Sequence, residues 1–235
     1  MSMILGKRRR YGKAPMQNPF KRLRVPRPIY VARNRGDKAF AVTPVGNRSG
    51  IVKLKYACTV SLSQTVSKHI FRWNSLFDPD YTGTGHQPFM HDQLSGIWRN
   101  YHVLGARVRV RGTPGSGQTE PVCFGVYTER DVTSAHGNIN QLMEKPGAVT
   151  ALIAPSTAVG YRTVTLNWSA KKHFTVTNVL DESDLGAATD ASPTKVGWLY
   201  VGAAQYDNSS AFTVECLVEL EFIAIYHGRN YNAGS

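Results

Sequence analysis

No stretch of this 235-residue chain is apolar over the roughly 20 residues that a membrane-spanning helix requires. The first ten residues are charged but contain no apolar core segment, so they lack the pattern of a secretory signal. These two absences predict a protein that does not insert into a membrane.

Cysteine is also scarce. The three cysteines, Cys58, Cys123 and Cys216, are widely spaced, and each lies in an apolar, strand-like run. No two of them have the spacing of zinc ligands. We expect buried free thiols in a protein assembled in a reducing compartment, in preference to a disulfide.

Short catalytic motifs are missing as well. The sequence has no Gly-x-Ser-x-Gly elbow, no His-Glu-x-x-His helix and no His-x-His pair such as a metal-binding cupin needs. Gly115-Ser116-Gly117 lacks the Gly-Lys-Ser/Thr and the following helix of a phosphate loop, so it predicts a hairpin tip. We therefore expect neither an enzyme nor a bound cofactor or metal.

What the chain has in excess is positive charge near its beginning. Residues 1–38 hold twelve of the 28 Lys and Arg residues against one acid, Asp37, and the rest of the chain is nearly neutral. This segment has too few apolar side chains to offset the entropy cost of ordering. We predict a disordered basic arm over 1–38 and one folded domain over 39–235. The residues predicted to bind nucleic acid are Lys7, Arg8, Arg9, Arg10, Lys13, Lys21, Arg22, Arg24, Arg27, Arg33, Arg35 and Lys38.

A polyanion is the partner that such an arm predicts. If its eleven net charges all contacted one strand, log affinity would fall against log salt with a slope of about −8. Only three aromatic residues interrupt the arm, so contact should depend little on base sequence. A flexible coil of this length spans about 35 Å, enough to reach away from a domain surface. The alternatives are a solubilising tail or an import signal alone, and the charge exceeds what an import signal requires.

Beyond Gly50 the apolar residues repeat with a period of two, as in strands with one buried face. The alternation predicts strands over 52–62, 68–73, 103–111, 121–128, 163–168, 195–206 and 211–226. Helical patterns are few, over 89–100 and around 138–144. Many strands and few helices in one domain predict an all-β antiparallel sandwich or barrel, with a jelly roll as the first candidate.

Three of the predicted strands carry a row of like charges opposite their apolar face. The last strand is acidic and two others are basic; the residues are Glu215, Glu219 and Glu221, and Lys53, Lys55, Arg107, Arg109 and Arg111. Either the bases form a wall for nucleic acid, or the acidic strand lies between the two basic ones and pairs with both. We favour the pairing. The last strand of a jelly roll runs between the first and the third, so this row of charges is also a weak test of the topology.

Several other side chains have two interpretations. His86 and His91 could ligate a metal or transfer protons, but such histidines more often bind buried loop carbonyls or a neighbouring subunit. The acids of 181–184 with Asp190 could hold Ca²⁺ at a subunit contact, although a solvated outer loop is favoured. The four tryptophans are expected in the core, with base stacking as the alternative. Loops 113–119, 148–160 and 179–194 are candidates for an outer surface.

One region of the sequence is similar to a known family. It contains Asp78-Pro79-Asp80 and Gly83-Thr84-Gly85-His86-Gln87-Pro88, followed by Asp92-Gln93 and a strand that starts at Tyr101. In this order the motifs resemble the capsid proteins of small circular single-stranded DNA viruses that encode a replication initiator, the circovirus-like group in its wider, unclassified sense. The direct match runs over 71–110, and the basic arm and strand-rich remainder match the family's layout.

The resemblance implies an eight-stranded jelly roll of two four-stranded sheets that self-assembles into a small icosahedral shell, usually a T = 1 particle of sixty copies. The arm would then point inward onto a single-stranded DNA genome and contain a nuclear import signal. The implied partners are further copies of the chain, the DNA genome, a host nuclear import receptor and an unidentified cell-surface receptor. The implied locations are the virion and, during assembly, the host nucleus.

Two other hypotheses stay open at this stage. One is a nucleic-acid-binding protein that forms no shell, such as a viral nuclear shuttle factor. The other is a metal-dependent sandwich enzyme. An RNA genome is conceivable too, because phosphate contacts hardly distinguish the two polymers, and only the resemblance favours DNA.

Overall fold

The computed structural model describes residues 49–155, 160–207 and 210–230, and nine strands and three short α-helices lie in these ranges. The strands are β1 (Ser49–Gln64), β2 (Val66–Arg72), β3 (Trp98–Pro114), β4 (Val122–Glu129), β5 (Val149–Ile153), β6 (Arg162–Ser169), β7 (Gly186–Ala188), β8 (Trp198–Gln205) and β9 (Phe212–Arg229). The helices are α1 (His91–Ser95), α2 (Ile139–Glu144) and α3 (Ala170–Phe174), and two short 3₁₀ helices span Val179–Asp181 and Ser183–Leu185.

The strands form two antiparallel sheets. The first sheet has the order β1-β9-β3-β6, and the second sheet has the order β2-β8-β4-β5. Consecutive strands alternate between the sheets except at β4–β5 and β6–β7, and the last strand lies between the first and the third. This is the strand order of a jelly roll, so the predicted fold class is confirmed.

The first sheet has one strand more than predicted. β7 pairs with Asn100–His102 of β3, beside the stretch of β3 that pairs with β6. It is only three residues long, Gly-Ala-Ala, and nothing in that sequence alternates. Its conformation follows from tertiary pairing with β3, which overrides local propensity.

The main core lies between the two sheets. Side chains such as Leu62 of β1, Phe124 of β4, Val201 of β8 and Val214 of β9 are at most 1 % exposed. Burying each apolar side chain of this size stabilises the fold by about 1.5–3 kcal/mol. The predicted alternation along β1 and β9 therefore places the expected faces inward.

A second apolar cluster covers the outer face of the second sheet. It consists of Cys123, Tyr127, Ile139, Leu142, Tyr200 and Ala204. The rings of Tyr127 and Tyr200 stack with their centroids 4.9 Å apart. A Cβ atom on Gly202 would lie 2.2 Å from His136 Cε1, so only glycine fits beneath that imidazole. We call residues 130–148, which carry α2, the cover.

Two helical predictions have different outcomes. The one around 138–144 is confirmed, because Asn138 accepts a hydrogen bond from Gln141 N (2.8 Å) at the start of α2. The one over 89–100 is wrong in its second half, because α1 ends at Ser95 and β3 begins at Trp98. Pairing of that end of β3 with β9 extends the strand where local pattern favours a helix.

Two further segments were not predicted. β5 lies in the proposed outer loop 148–160, so that loop assignment is wrong for 149–153. α3 follows β6 directly and is five residues long. Both are too short for periodicity to identify.

The three cysteines are free thiols, as predicted. Cys123 and Cys216 are buried and Cys58 is partly so. Burial raises the pKa of Cys58 to about 11 and that of Cys216 to about 12, so both are held as the protonated thiol. Within the described ranges, the helices are all too short or too polar to cross a bilayer.

Candidate functional site

The residues predicted to bind nucleic acid all belong to the basic arm. All twelve, from Lys7 to Lys38, lie outside the described residues, and so does the proposed boundary at 38. Their role and the two-part division of the chain stay predictions.

The charged rows of the first sheet are brought together as expected. β9 lies between β1 and β3, so Glu221 has Lys55 on one side and Arg107 on the other. In the same register Glu219 lies opposite Arg109. The prediction that the acidic strand pairs with both basic strands is confirmed.

Three ion pairs form across these strands. Lys53 Nζ donates to Glu221, and this hydrogen bond lowers the pKa of the Glu221 carboxyl. Glu219 forms an ion pair with Arg109, whose Nη1 is 3.7 Å away, and accepts a hydrogen bond from Arg111 Nη2 at 3.4 Å. The Glu219 side chain is 40 % exposed, so each of its pairs contributes at most about 0.2–1 kcal/mol.

A shallow groove of about 310 Å³ crosses this charged face. Lys55, Arg107 and Arg109 line it together with Glu219 and Glu221. The carboxylates offset most of the cationic charge, so the groove presents little net attraction to a phosphate backbone. The alternative of a basic wall for nucleic acid is the weaker interpretation of this face.

The segment after β2 folds back onto that strand. Arg72 Nη1 donates to Asp78 Oδ2 (2.6 Å), to Asp78 O (2.9 Å) and to Asp80 O (3.2 Å). Asp80 in turn accepts from Thr82 N at 3.0 Å and pairs with His69 Nε2 at 2.9 Å. Asp78-Pro79-Asp80 is a typical turn sequence, but here it lies along β2, with Asp80 bridged to Phe71 and one guanidinium fastening it. The turn itself comes afterwards, at Tyr81 and Thr82.

Glycine is required twice in the loop that follows. Gly83 has a φ of +74°, which side-chain-bearing residues rarely adopt. A Cβ atom on Gly85 would lie 2.8 Å from both Asp80 Cβ and the Tyr56 hydroxyl. The loop therefore packs closely against Tyr56 of β1.

His86 and His91 have different environments. The exposed His86 ring stacks on Tyr56, with centroids 4.5 Å apart. His91 is buried: its Nε2–H donates to Thr189 O (2.8 Å), and its Nδ1 accepts from the Tyr226 hydroxyl (2.6 Å). Burial lowers the pKa of His91 and keeps it neutral. The expectation that such a histidine binds a buried loop carbonyl is confirmed for His91.

His102 of β3 and His227 of β9 form a hydrogen-bonded pair of neutral imidazoles. His102 Nε2–H points at Glu182 O (3.4 Å), which leaves its Nδ1 to accept from His227 Nε2–H (2.9 Å). Burial lowers the pKa of both imidazoles. Tyr101 adds a third contact by donating to Ala191 O (2.9 Å). Residues 182–191 are thus fastened to β3 and β9 by neutral side chains, a role that sequence reasoning did not assign to His102 or His227.

The acidic cluster of the β6–β8 connection lies in solvent. Asp181, Glu182, Asp184 and Asp190 are all exposed. Across the described ranges, no group of three or more His, Cys, Asp or Glu side chains is arranged to hold a metal ion. The solvated loop, and not a Ca²⁺ site, is the interpretation that this geometry supports.

The tryptophans divide between core and surface. Trp73 and Trp168 are 0 % and 8 % exposed, and their rings stack at 5.8 Å between the sheets. Trp98 and Trp198 are half-buried. Core packing is therefore confirmed for Trp73 and Trp168.

Comparison with known proteins gives fold-level likenesses only. No family model matches the chain, and no curated protein matches it by sequence. Among solved structures, the 60-mer BFDV capsid protein is similar at 10 % identity and a TM-score of 0.45, over 80 % of this chain and 98 % of that one. Desmodium yellow mottle tymovirus is similar at 12 % and 0.42, over 85 % and 99 %.

A third similar structure is a semi-empty virus-like particle of the nodavirus of the giant freshwater prawn Macrobrachium rosenbergii. It has 11 % identity and a TM-score of 0.42, over 81 % of this chain and 100 % of that one. Likenesses at this level carry no inference about the function of this chain.

Proposed function

We propose that this protein is a viral capsid subunit whose jelly-roll body assembles into a closed shell and whose basic arm binds a single-stranded DNA genome inside it. The mechanism is non-covalent. Loops and edges of the body bury surface against neighbouring copies, while the arm neutralises phosphate charge. No catalytic step, cofactor or metal is part of the proposal.

The observation that carries the proposal is the uneven distribution of charge along the chain. The described residues contain fifteen bases and fifteen acids, whereas residues 1–38 contain twelve bases and one acid. A jelly roll alone does not imply a function. A jelly-roll domain of balanced charge that follows an arm of eleven net positive charges suits a shell subunit. The arm would bind the nucleic acid, and the domain would have little net attraction for it.

The finer features of the proposal rest on the resemblance of residues 71–110. They are a T = 1 particle of sixty copies, DNA and not RNA as the genome, and a nuclear import signal within the arm. Assembly in the host nucleus, after binding of an import receptor, follows from the same resemblance.

The test is particle formation together with nucleic-acid binding. Full-length protein should give uniform spheres by negative-stain microscopy, and its affinity for single-stranded DNA should fall with salt at a slope of about −8. Replacing Arg8, Arg9, Arg10, Arg22, Arg24 and Arg27 by Gln should reduce that slope by about 4, because each phosphate contact contributes about 0.7.

Deleting residues 1–38 should abolish DNA binding and leave empty shells. A full-length protein that stays small under every assembly condition would instead support a nuclear shuttle factor. Unchanged affinity of the deleted chain at physiological salt would contradict the role of the arm.

A further inference from the structure

The connection between β6 and β8 carries exposed charged side chains that form no ion pair among the described residues. Its exposed bases are Lys171, Lys172 and Lys195, and its exposed acids are Asp181, Glu182, Asp184 and Asp190. None of these seven takes part in the six ion pairs that form among the described residues. The strands of the first sheet pair opposite charges, whereas the charged side chains of this connection form no such pair within the described ranges.

The cations gather around α3. Lys171 and Lys172 lie on the helix itself, and Lys195 Nζ is 5.4 Å from the centroid of the Phe174 ring. Arg130 reaches the end of the helix, where its Nη2 donates to His173 O at 2.5 Å. We call Arg130, Lys171, Lys172 and Lys195 the α3 cations.

The carboxylates lie on the two 3₁₀ helices of the same connection. Asp181, Glu182 and Asp184 are exposed there, beside a Leu180 side chain that is 42 % exposed. We call these four residues the acidic segment. Lys195 N donates to Asp184 O at 3.0 Å, so Lys195 joins the acidic segment to the α3 cations.

We propose that the acidic segment of one copy binds the α3 cations of a second copy. This inference rests on the proposed function, since it concerns how shell subunits recognise each other. Each cluster repels itself and is complementary to the other, so two copies satisfy both at once. Leu180 is buried in the same contact, which removes an exposed apolar side chain from water.

Two charge-reversed variants of the full chain test the contact. One carries Lys171→Glu with Lys172→Glu, and the other carries Asp181→Lys with Glu182→Lys. Each alone should raise the protein concentration needed for assembly at least about tenfold, because like charges then face each other. An equimolar mixture of the two, or one chain with all four substitutions, should assemble at close to the original concentration.

The matched control is Lys68→Glu with Glu144→Lys, which reverses two exposed charges on β2 and α2. It should assemble like the wild type. Circular dichroism and thermal unfolding check that every variant is folded, and if one reversed pair does not fold, the other pair and the four-substitution chain still decide the question.

The outcomes separate this inference from the proposed function. If the wild type forms no particles, the proposed function fails. If the wild type assembles and both reversed variants assemble equally well, or neither mixture nor four-substitution chain restores assembly, only the contact is wrong. Loss of DNA binding in the Lys171→Glu, Lys172→Glu variant, with normal assembly, would assign the α3 cations to nucleic acid and overturn the proposal.

Discussion

The outer faces of the two sheets are stabilised in different ways. On the first sheet, β9 places Glu219 and Glu221 between basic residues of β1 and β3, and this charged face is open to solvent. On the second sheet, Tyr127 and Tyr200 are fully buried beneath the cover. On the first sheet, strand register places opposite charges side by side. On the second sheet, the cover buries apolar side chains.

The difference indicates where the stability of the body resides. Exposed ion pairs are worth little, while buried apolar side chains contribute several kilocalories per mole. The cover should therefore matter far more to folding than the charged rows, although both lie outside the main core. Three experiments test this ordering.

Leu142→Ala should have the largest effect. Leu142 lies on the buried face of α2 and is 0 % exposed, and truncating such a residue costs about 2–5 kcal/mol through lost burial and the cavity left behind. Urea unfolding measures the loss. The neighbouring Met143 is 58 % exposed, so Met143→Ala is the control and should change stability by less than about 0.5 kcal/mol. Equal effects of the two substitutions would show that α2 does not cover the sheet.

Acid should destabilise both faces through buried histidines. Burial lowers the pKa of His136 in the cover, of His91 in α1, and of His102 and His227 on the first sheet below the ordinary 6.5. As pH falls below about 7, the unfolded chain takes up protons before the folded one. The free energy of unfolding then decreases by up to about 1.4 kcal/mol per pH unit for each histidine, until pH reaches the folded pKa.

Urea unfolding between pH 7 and pH 5 measures that slope. His227→Gln should make it shallower, because it removes one titrating group and keeps a donor for His102. A free energy of unfolding that does not change over this pH range would contradict the neutral assignment of these imidazoles.

Glu219→Gln should have the smallest effect. It removes the carboxylate that Arg109 and Arg111 share, and exposed pairs of this kind contribute about 0.2–1 kcal/mol. The loss should disappear at about 1 M salt, where the Debye length is near 3 Å. Glu120→Gln, in an exposed turn, is the control. A loss above that range, or one insensitive to salt, would mean that the charged face stabilises the body as much as the cover does.

Sequence pattern predicted the first sheet well. One face of β1 and β9 is buried and the other is solvated, so apolar and polar residues alternate, and the charges identified β9 as the strand between β1 and β3. The Gly-rich motif that contains His86 and the Asp92-Gln93 pair beside His91 were recognised, but the partners of these histidines, Tyr56, Thr189 and Tyr226, are distant in sequence.

The helix of the cover was predicted, but its position over the second sheet was not, for a physical reason. Val122–Tyr127 of β4 and Leu199–Ala204 of β8 are continuous buried runs, the pattern of strands covered on both faces. That pattern shows that something lies over the outer face without showing which segment does. The α3 cations were missed because four residues from three elements, Arg130, Lys171, Lys172 and Lys195, meet only in the fold.

The position of β9 has a consequence for biosynthesis. It is the last of the nine described strands along the chain, yet it occupies the middle of the first sheet. On the ribosome, β1 and β3 emerge before their shared partner exists, so β1 cannot join the sheet until translation has passed Arg229. Such long-range pairing slows folding and leaves strand edges exposed to aggregation meanwhile. Expression should therefore benefit from chaperones or low temperature, and any truncation before Phe212 removes the centre of the sheet.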